Sequence, residues 1–505
     1  MIWLILNLLS LAWWPPFDFN GDEAWVADYL INHGKAKMML GWSVSKTGLL
    51  LLDTPLYFGY AGLFLKINKS IWFLRLSSLL PGLLSLPLIY LIARDEGHRW
   101  EGLVAAVVLG LSGPFLWTFH YLRWESLTTF MGLMSVWLFI RGTRGQAFQM
   151  GLAGLIASVA VLSHPVGLTF PIGMFLSGFT ARGWARKAWL WAGLFVGSVI
   201  FTSLNILPNI PGPLLSDAFT SLSSRPALLM LFAGPKAILP TILKIFYKPV
   251  MLVASGAEYG SHFISPILGV LSLCFLLVGS EPRKSLTKAL WRKSPGCVVD
   301  DASSHSPLRW LWAFILLSFG LLVMRQEHTN ILFPLVVLCA TLFLGKIKEH
   351  GTRAWFLLPL LIPEMYLLQG EFRRGRDHLL NRERMIETAS ALIPPGSRVV
   401  SSSPALLWGG IRGNYQVFRM ADPDYLSGRI SLREALAKHN IDYIVVDLMP
   451  GSPAKSYYNI GIAERALLSD TSLFEPLGTF PGGYMLSASA GKDNLVDSFA
   501  IYRVK

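Results

Sequence analysis

Charge and cysteine are scarce in this chain. Acidic and basic side chains together make up 15% of the 505 residues, while 53% are hydrophobic. A soluble domain carries about a quarter charged residues, so this balance, with a mean hydropathy of +0.48, reads as a chain built for lipid. The three cysteines, Cys274, Cys297 and Cys339, fall in or near apolar runs without a metal-ligand spacing. None lies in the C-terminal stretch, which excludes a disulfide-stapled domain there. The N-terminus lacks both a basic n-region and a small-residue cleavage site. Its uncharged opening, closed by Trp13-Trp14-Pro15-Pro16, therefore reads as a retained span with an interfacial end. No internal repeat or low-complexity segment is evident. The formal charge of +13 invites a nucleic-acid reading. That reading is rejected, because the basic residues sit in short clusters between apolar runs, as membrane topology requires.

Apolar runs place spans at about 2–17, 71–93, 102–120, 127–140, 149–162, 166–180, 188–206, 262–279, 308–324, 330–345 and 354–370. One set of connections is basic: Arg94 and Arg99, Arg141 and Arg144, Arg182 with Arg186 and Lys187, Arg283 through Lys293, and Lys346, Lys348 and Arg353. The opposite short loops hold little beyond Arg123 and Arg325. The positive-inside rule assigns the basic set to the cytoplasm. Large loops at about 18–70 and 207–261, and everything after about 370, then lie outside. Residues 236–254 are apolar but interrupted by Pro240, Lys244, Lys248 and Pro249, and read as an interfacial or re-entrant helix. The expected fold is a polytopic α-helical membrane protein of about eleven spans, or about twelve to thirteen, in a plasma or inner cell membrane. Its N-terminus is cytoplasmic. Residues 1–370 form the membrane domain and 371–505 a small extracytoplasmic α/β domain. That domain shows a strand at 398–400, a helix starting at 431–436 and a buried strand at 442–447, with Pro-Gly and Gly-Gly pairs as punctuation.

Ionisable groups gather at the external corners. Asp22-Glu23 follows the first span directly; such a pair can take a proton from an attacking acceptor or hold a divalent cation, and equally can be a solvated loop pair. His120-Tyr121-Leu122-Arg123-Trp124-Glu125-Ser126 is a very short loop, so Arg123 and Glu125 sit at the membrane surface. A planar guanidinium suits phosphate, but the two residues can also simply pair with each other. Ser163-His164-Pro165 forms a third corner, where a histidine is more often a local hydrogen-bonding residue than a ligand. The fourth, Arg325-Gln326-Glu327-His328, is polar between two spans, and its adjacent Glu327 and His328 make a weak metal pair. A chain that only spanned the membrane would have no reason to concentrate such groups on one side.

At these residues the chain resembles the GT-C glycosyltransferases, nearest to the group of protein O-mannosyltransferases and lipid A aminoarabinose transferases (glycosyltransferase family 39-like). The resemblance is carried by Phe19-Asn20-Gly21-Asp22-Glu23-Ala24, by Leu52-Asp53-Thr54-Pro55-Leu56-Tyr57-Phe58, by Arg123-Trp124-Glu125-Ser126-Leu127, by His164-Pro165-Val166-Gly167-Leu168 and by His328-Thr329-Asn330-Ile331-Leu332-Phe333-Pro334. Asp53-Thr54 and His328-Thr329-Asn330 depart from the family's usual residues there. The resemblance implies transfer of a sugar from a polyprenyl-phosphate donor to a protein, lipid or cell-envelope glycan, by single displacement with inversion. It implies Asp22 as general base and Glu23 as its support or, with Asp22, as the holder of a divalent cation. Arg123, His164 and Arg325 would hold the donor phosphate, with Asp53, Tyr57, Glu125 and His328 in supporting places. Apolar walls between spans would take the isoprenoid tail. The rival from another class is a polyprenyl-linked sugar flippase or transporter, which would place its charges within spans and show repeat symmetry.

Overall fold

A computed structural model describes residues 5, 7, 8, 11, 26, 30, 39, 40, 55–68, 70–180, 183–206, 249–251, 253, 264–277, 306–322, 329–346, 355–401, 406, 414–420, 423–426, 428–447, 472–481 and 498–505. Strand β1 (Met39–Leu40) precedes a run of helices: α1 (Pro55–Ile67), α2 (Ile71–Asp95), α3 (Arg99–Leu111), α4 (Gly113–His120), α5 (Glu125–Arg144) and α6 (Phe148–Val159). Two 3-10 turns, Ala160–Leu162 and Pro165–Leu168, lead into α7 (Thr169–Thr180) and α8 (Trp184–Phe201). Then come α9 (Ile264–Leu277), α10 (Pro307–Leu322), α11 (Thr329–Lys346) and α12 (Leu361–Leu392). The chain closes with β2 (Arg398–Ser401), β3 (Gln416–Met420), α13 (Pro423–Leu426), α14 (Leu432–Lys438), β4 (Tyr443–Asp447), β5 (Phe474–Pro481) and β6 (Ser498–Val504).

Helices in the described residues stand over the predicted spans from 71–93 onward, while most of the predicted span 2–17 and of the interfacial segment 236–254 lies outside those residues. Among the described residues, 72–95 and 184–204 are long and apolar enough to cross a membrane, and α3 with α4 makes a third if that bent pair is one span. The run 102–120 reads from sequence as one span but is two helices meeting at 64°. The break lies at Ser112, whose backbone is extended, just ahead of Pro114 in the first turn of α4. Proline cannot donate to a preceding turn, so a helix restarts there more readily than it continues.

Small residues let the helices close on one another. A Cβ on Gly193 of α8 would stand 1.9 Å from the Gly151 carbonyl oxygen of α6, and one on Gly82 of α2 would stand 2.4 Å from the Phe119 ring of α4. Such close approach extends dispersion contact between helices that gain no hydrophobic drive from lipid. Helix α5 lies at the centre with Ser126, Thr128, Thr129 and Ser135 all buried, and three of these hydroxyls are absorbed locally: Ser126 Oγ donates to the Arg123 carbonyl, Thr128 Oγ1 to that of Trp124 and Ser135 Oγ to that of Gly132.

The long helix α12 runs unbroken through the position where the sequence marks the end of the membrane domain. Its 32 residues span about 48 Å at 1.5 Å per residue. Beyond it lies a six-stranded sheet in the order β1-β3-β2-β4-β6-β5. Strands β1, β3, β2 and β4 run parallel to their neighbours, whereas β6 is antiparallel to β4 and β5. Strand alternation divides its side chains between two faces. Val400, Phe418, Ile444 and Val446 pack with Leu432 and Leu436 of α14. Val399, Val417, Tyr443, Val445 and Ile501 share a core with Met385, Ile386 and Ala389 of α12 and with Tyr57, Leu74, Leu122 and Leu127 from the helical part. The sheet is thus seated on the loop that carries Arg123. Its edge strand β1 comes from the first predicted loop, pairing Met39 with Arg419 and Leu40 with Met420. A hydrogen-bonded sheet cannot straddle a bilayer, so that loop and the C-terminal strands lie on one side.

Candidate functional site

The corner between α4 and α5 is compact because of where its neighbours end. Tyr121 turns the chain into extended conformation after His120, and α5 begins at Glu125. Within this short turn Arg123 Nε and Nη2 donate to Glu125 Oε2 and Oε1 at 3.1 and 2.6 Å. Both residues are buried. Glu125 sits in the first turn of α5, where a carboxylate also meets the positive end of the helix. The pair is therefore bidentate, shielded from water and fixed in direction.

Ser78 of α2 locks the same residue through its backbone. Its Oγ accepts from Arg123 N–H at 3.1 Å and donates to the Arg123 carbonyl at 3.2 Å, which also takes the Ser126 hydroxyl at 3.0 Å. Tyr57 Oη lies 3.3 Å from Ser78 Oγ. A hydroxyl has one proton; Ser78 spends its own on the carbonyl, so Tyr57 is the donor in that contact. The predicted Leu52–Phe58 stretch thus reaches the Arg123 corner through one serine.

His164 joins from the other side. It caps the 3-10 turn Pro165–Leu168 with Nδ1 accepting from Val166 N–H at 3.2 Å, and its carbonyl accepts from Gly167 N–H at 2.8 Å. With Nδ1 an acceptor, the neutral ring carries its proton on Nε2. The ring stacks on Trp124, centroids 5.6 Å apart and planes 12° from parallel, while Phe58 meets the edge of Trp124 at 6.5 Å. Tyr57, Arg123, Glu125 and His164, nominated separately from sequence, therefore form one connected constellation. Asp22, Glu23, Asp53, Arg325 and His328 lie outside the described residues. Among the described residues, no three His, Cys, Asp or Glu side chains converge as metal ligands.

The sequence reading overlooked five contributors. Ser78 gives no signal, being one of three serines in the apolar helix α2. Trp124 is named only as part of a loop. Arg75, in the first turns of α2, is completely buried; it donates from Nη1 to the Leu11 carbonyl at 3.0 Å and lies 5.9 Å from the Tyr121 ring centre. One turn earlier, Trp72 Nε1 donates to the Leu8 carbonyl at 2.9 Å. Glu364, inside the apolar run 354–370, is completely buried and accepts from Gly113 N–H at 3.0 Å. Arg75 and Glu364 had a signal, since an ionisable residue within a predicted span is costly and so rarely idle.

Comparison with known proteins bears on this constellation. Residues 53–206 match the family described as dolichyl-phosphate-mannose-protein mannosyltransferase, a segment that contains Tyr57, Ser78, Arg123, Glu125 and His164. No curated protein sequence matches the chain significantly. Among solved structures, ArnT from Cupriavidus metallidurans in the apo state aligns over 99% of this chain and 96% of its own, at 12% identity and TM-score 0.51. The same protein bound to undecaprenyl phosphate aligns over the same shares, at 12% identity and TM-score 0.50. The apo oligosaccharyltransferase of Archaeoglobus fulgidus aligns over 98% of this chain and 75% of its own, at 11% identity and TM-score 0.51. At such identities the two proteins speak for the fold, and the family match speaks for the class. The GT-C resemblance drawn from sequence is borne out: the family model that matches residues 53–206 describes a glycosyltransferase, and the solved structures share the fold.

Proposed function

We propose that this protein moves a sugar from a polyprenyl-phosphate donor to an extracytoplasmic protein, lipid or envelope glycan, with inversion in a single displacement. The observation that carries the reading is the gathering of Tyr57, Arg123, Glu125 and His164 at one buried corner inside the family-matched segment. The undecaprenyl phosphate bound by ArnT, which shares the fold, supports the donor class. On this reading an acceptor oxygen or nitrogen attacks the anomeric carbon and gives its proton to Asp22. The bond from that carbon to the phosphate oxygen breaks, and its electron pair leaves with the phosphate. Negative charge grows there as the bond opens, so a fixed cation stabilises the transition state more than the ground state. Arg123 is the described residue suited to that task, with Glu125 holding its fork in plane; His164 Nε2–H and Arg325 are the further donors. A cleft of about 260 Å³, bounded by Val161, Leu168, Ile172, Phe175, Leu194 and Phe201, opens beside the His164 corner and suits an isoprenoid chain.

In this reading the N-terminus is cytoplasmic, the C-terminal sheet external, and residues 371–505 cap the site. The deciding experiment uses purified protein in lipid nanodiscs, acceptor membranes and a panel of radiolabelled polyprenyl-phosphate sugars. Wild type transfers label from one donor, and Asp22→Asn, folded and inserted as before, does not. Unchanged turnover in that variant would remove Asp22 from the mechanism. Label crossing the bilayer without transfer would favour the flippase, a reading for which the buried Arg75 and Glu364 speak. Asp22 and Glu23 are also the place proposed for a divalent cation. Chelation followed by Mg2+ or Mn2+ tests that: activity lost and then restored supports it, and activity indifferent to chelation removes it.

A further inference from the structure

The half-helix α4 is gripped at both ends by fully buried ionisable side chains from two other helices. At its start Gly113 N–H, one of the first-turn donors that a helix cannot satisfy internally, gives its proton to Glu364 Oε1 of α12 at 3.0 Å. The neighbouring Ser112 side chain provides no such cap, because its Oγ donates backward to the Leu109 carbonyl at 2.7 Å. At the other end Tyr121, the residue on which α4 stops, lies under the guanidinium of Arg75 from α2. The arrangement places a carboxyl group at the positive end of the helix and a guanidinium at the negative end, the two placements a helix dipole favours. Between them, Phe119 fills the space that Gly82 leaves open. Helix α4 has eight residues, about 12 Å, and two residues after Tyr121 comes Arg123.

We propose that Glu364 and Arg75 are positioning residues for the transfer reaction: by holding the two ends of α4 they set where the Arg123–Glu125 pair stands. The inference rests on the transferase reading given above. The break at Ser112 uncouples α4 from α3, so the tilt of α4 is not inherited from the rest of the span and must be fixed by other elements. Glu364 and Arg75 do this from α12 and α2, and the hydroxyl of Ser78 on α2 then receives the corner three residues after α4 ends. A buried ionisable group within a span is costly, and both groups touch the one element that delivers Arg123, Arg75 doing so while it also donates to the Leu11 carbonyl.

The test compares Glu364→Leu, Glu364→Gln and Glu364→Asp as full-length protein in nanodiscs, with kcat and the donor KM measured separately. Leucine removes the acceptor; glutamine keeps an acceptor oxygen at the same reach without the acid; aspartate keeps the carboxyl group but withdraws it by one methylene. A displacement of the corner by about 1 Å lowers kcat by about 100-fold, so Glu364→Leu and Glu364→Asp should fall by that order, with little change in donor KM. Glu364→Gln should recover to within about tenfold of wild type, since it restores the cap. Arg75→Gln should follow the leucine pattern. A purely structural role predicts a smaller folded fraction with unaltered kcat in what remains. Monodisperse Glu364→Leu and Glu364→Asp with wild-type kcat would overturn the proposal, and should the leucine variant not fold, the aspartate–glutamine comparison decides alone. If wild type itself transfers no sugar, the transferase reading has failed separately. Hydrogen exchange over residues 113–123 then judges the grip, and exchange left unchanged by Glu364→Asp, with Glu364→Gln as the control that keeps the cap, overturns it.

Discussion

Arg123 and Glu125 illustrate how one residue can be legible in type and not in use. Their presence at a corner between helices follows from charge placed at the end of an apolar run, which any span-by-span reading finds. That the guanidinium is fixed by a bidentate pair, with its backbone held by Ser78, follows from packing against α2. The pair gives a prediction at this scale. Glu125→Ala leaves a buried cation and should lower stability by about 3–5 kcal/mol, read as an early thermal transition of the purified protein. The double variant Arg123→Met with Glu125→Leu should recover most of that stability while remaining inactive in transfer. A double variant as unstable as Glu125→Ala would mean that the cost lies in packing and not in an uncompensated charge. Arg123→Lys, which keeps the charge but loses the planar fork, should also lose most transfer activity.

Elements fail or hold by different rules in the two halves of the chain. In the membrane part, α6 and α8 approach so closely that Gly193→Ala would drive a Cβ into the Gly151 carbonyl. Overpacking of this kind costs about 1–3 kcal/mol. The reciprocal Gly151→Ala, whose Cβ would meet Trp189 at 3.1 Å, should be tolerated better, and thermal stability of the two variants in detergent compares them. In the sheet region, α14 is started by a capping box: Ser431 Oγ accepts from Glu434 N–H at 3.2 Å, and Glu434 Oε2 accepts from Ser431 N–H at 2.7 Å. Ser431→Ala should cost about 1 kcal/mol. These hydrogen bonds to Ser431, backbone first, hold the Glu434 carboxyl below its usual range. A depressed folded value means that the unfolded chain takes up the proton first as pH falls. The cap's contribution is therefore complete above the ordinary glutamate range and is lost as pH drops through the folded value. Stability of wild type should accordingly fall more between pH 6 and pH 3 than that of Glu434→Gln; equal slopes would show that this carboxylate is not linked to folding.

For the whole molecule, the sheet that unites β1 with β3 ties the first loop to the C-terminal strands, and so to one side of the bilayer. With native cysteines replaced, a cysteine at Lys505 should react with an impermeant maleimide from outside intact cells, and one at Gln146 only after lysis. Reaction of both from the same side would break the alternating charge pattern on which the proposed orientation stands. The same sheet explains why its outer strands escaped a reading from sequence. Phe474–Pro481 contains Pro476, Gly478 and Pro481, residues that weaken a strand signal; it is a strand because β6 supplies antiparallel partners from Phe474–Val504 to Pro481–Ser498. Two-residue β1 has no signal of its own, and exists only where β3 offers an edge.

The sequence by itself determined where most of the apolar helices from residue 71 onward lie (Pro55–Ile67 is a helix where a loop is predicted), which corners carry charge, where β2, α14 and β4 fall and which enzyme family the chain resembles. Each of these is set by local hydropathy, capping or composition, and needs no distant partner. Tertiary structure alone decided that the span 102–120 breaks at Ser112, that α12 continues past residue 371, and that Tyr57, Arg123, Glu125 and His164 meet. Those outcomes depend on groups far apart in the chain: Glu364 supplies an acceptor 251 positions from Gly113, and Ser78 one 45 positions from Arg123. Hydrogen bonds across such separations are fixed by how helices pack, and apolar periodicity carries no record of which polar group will face which.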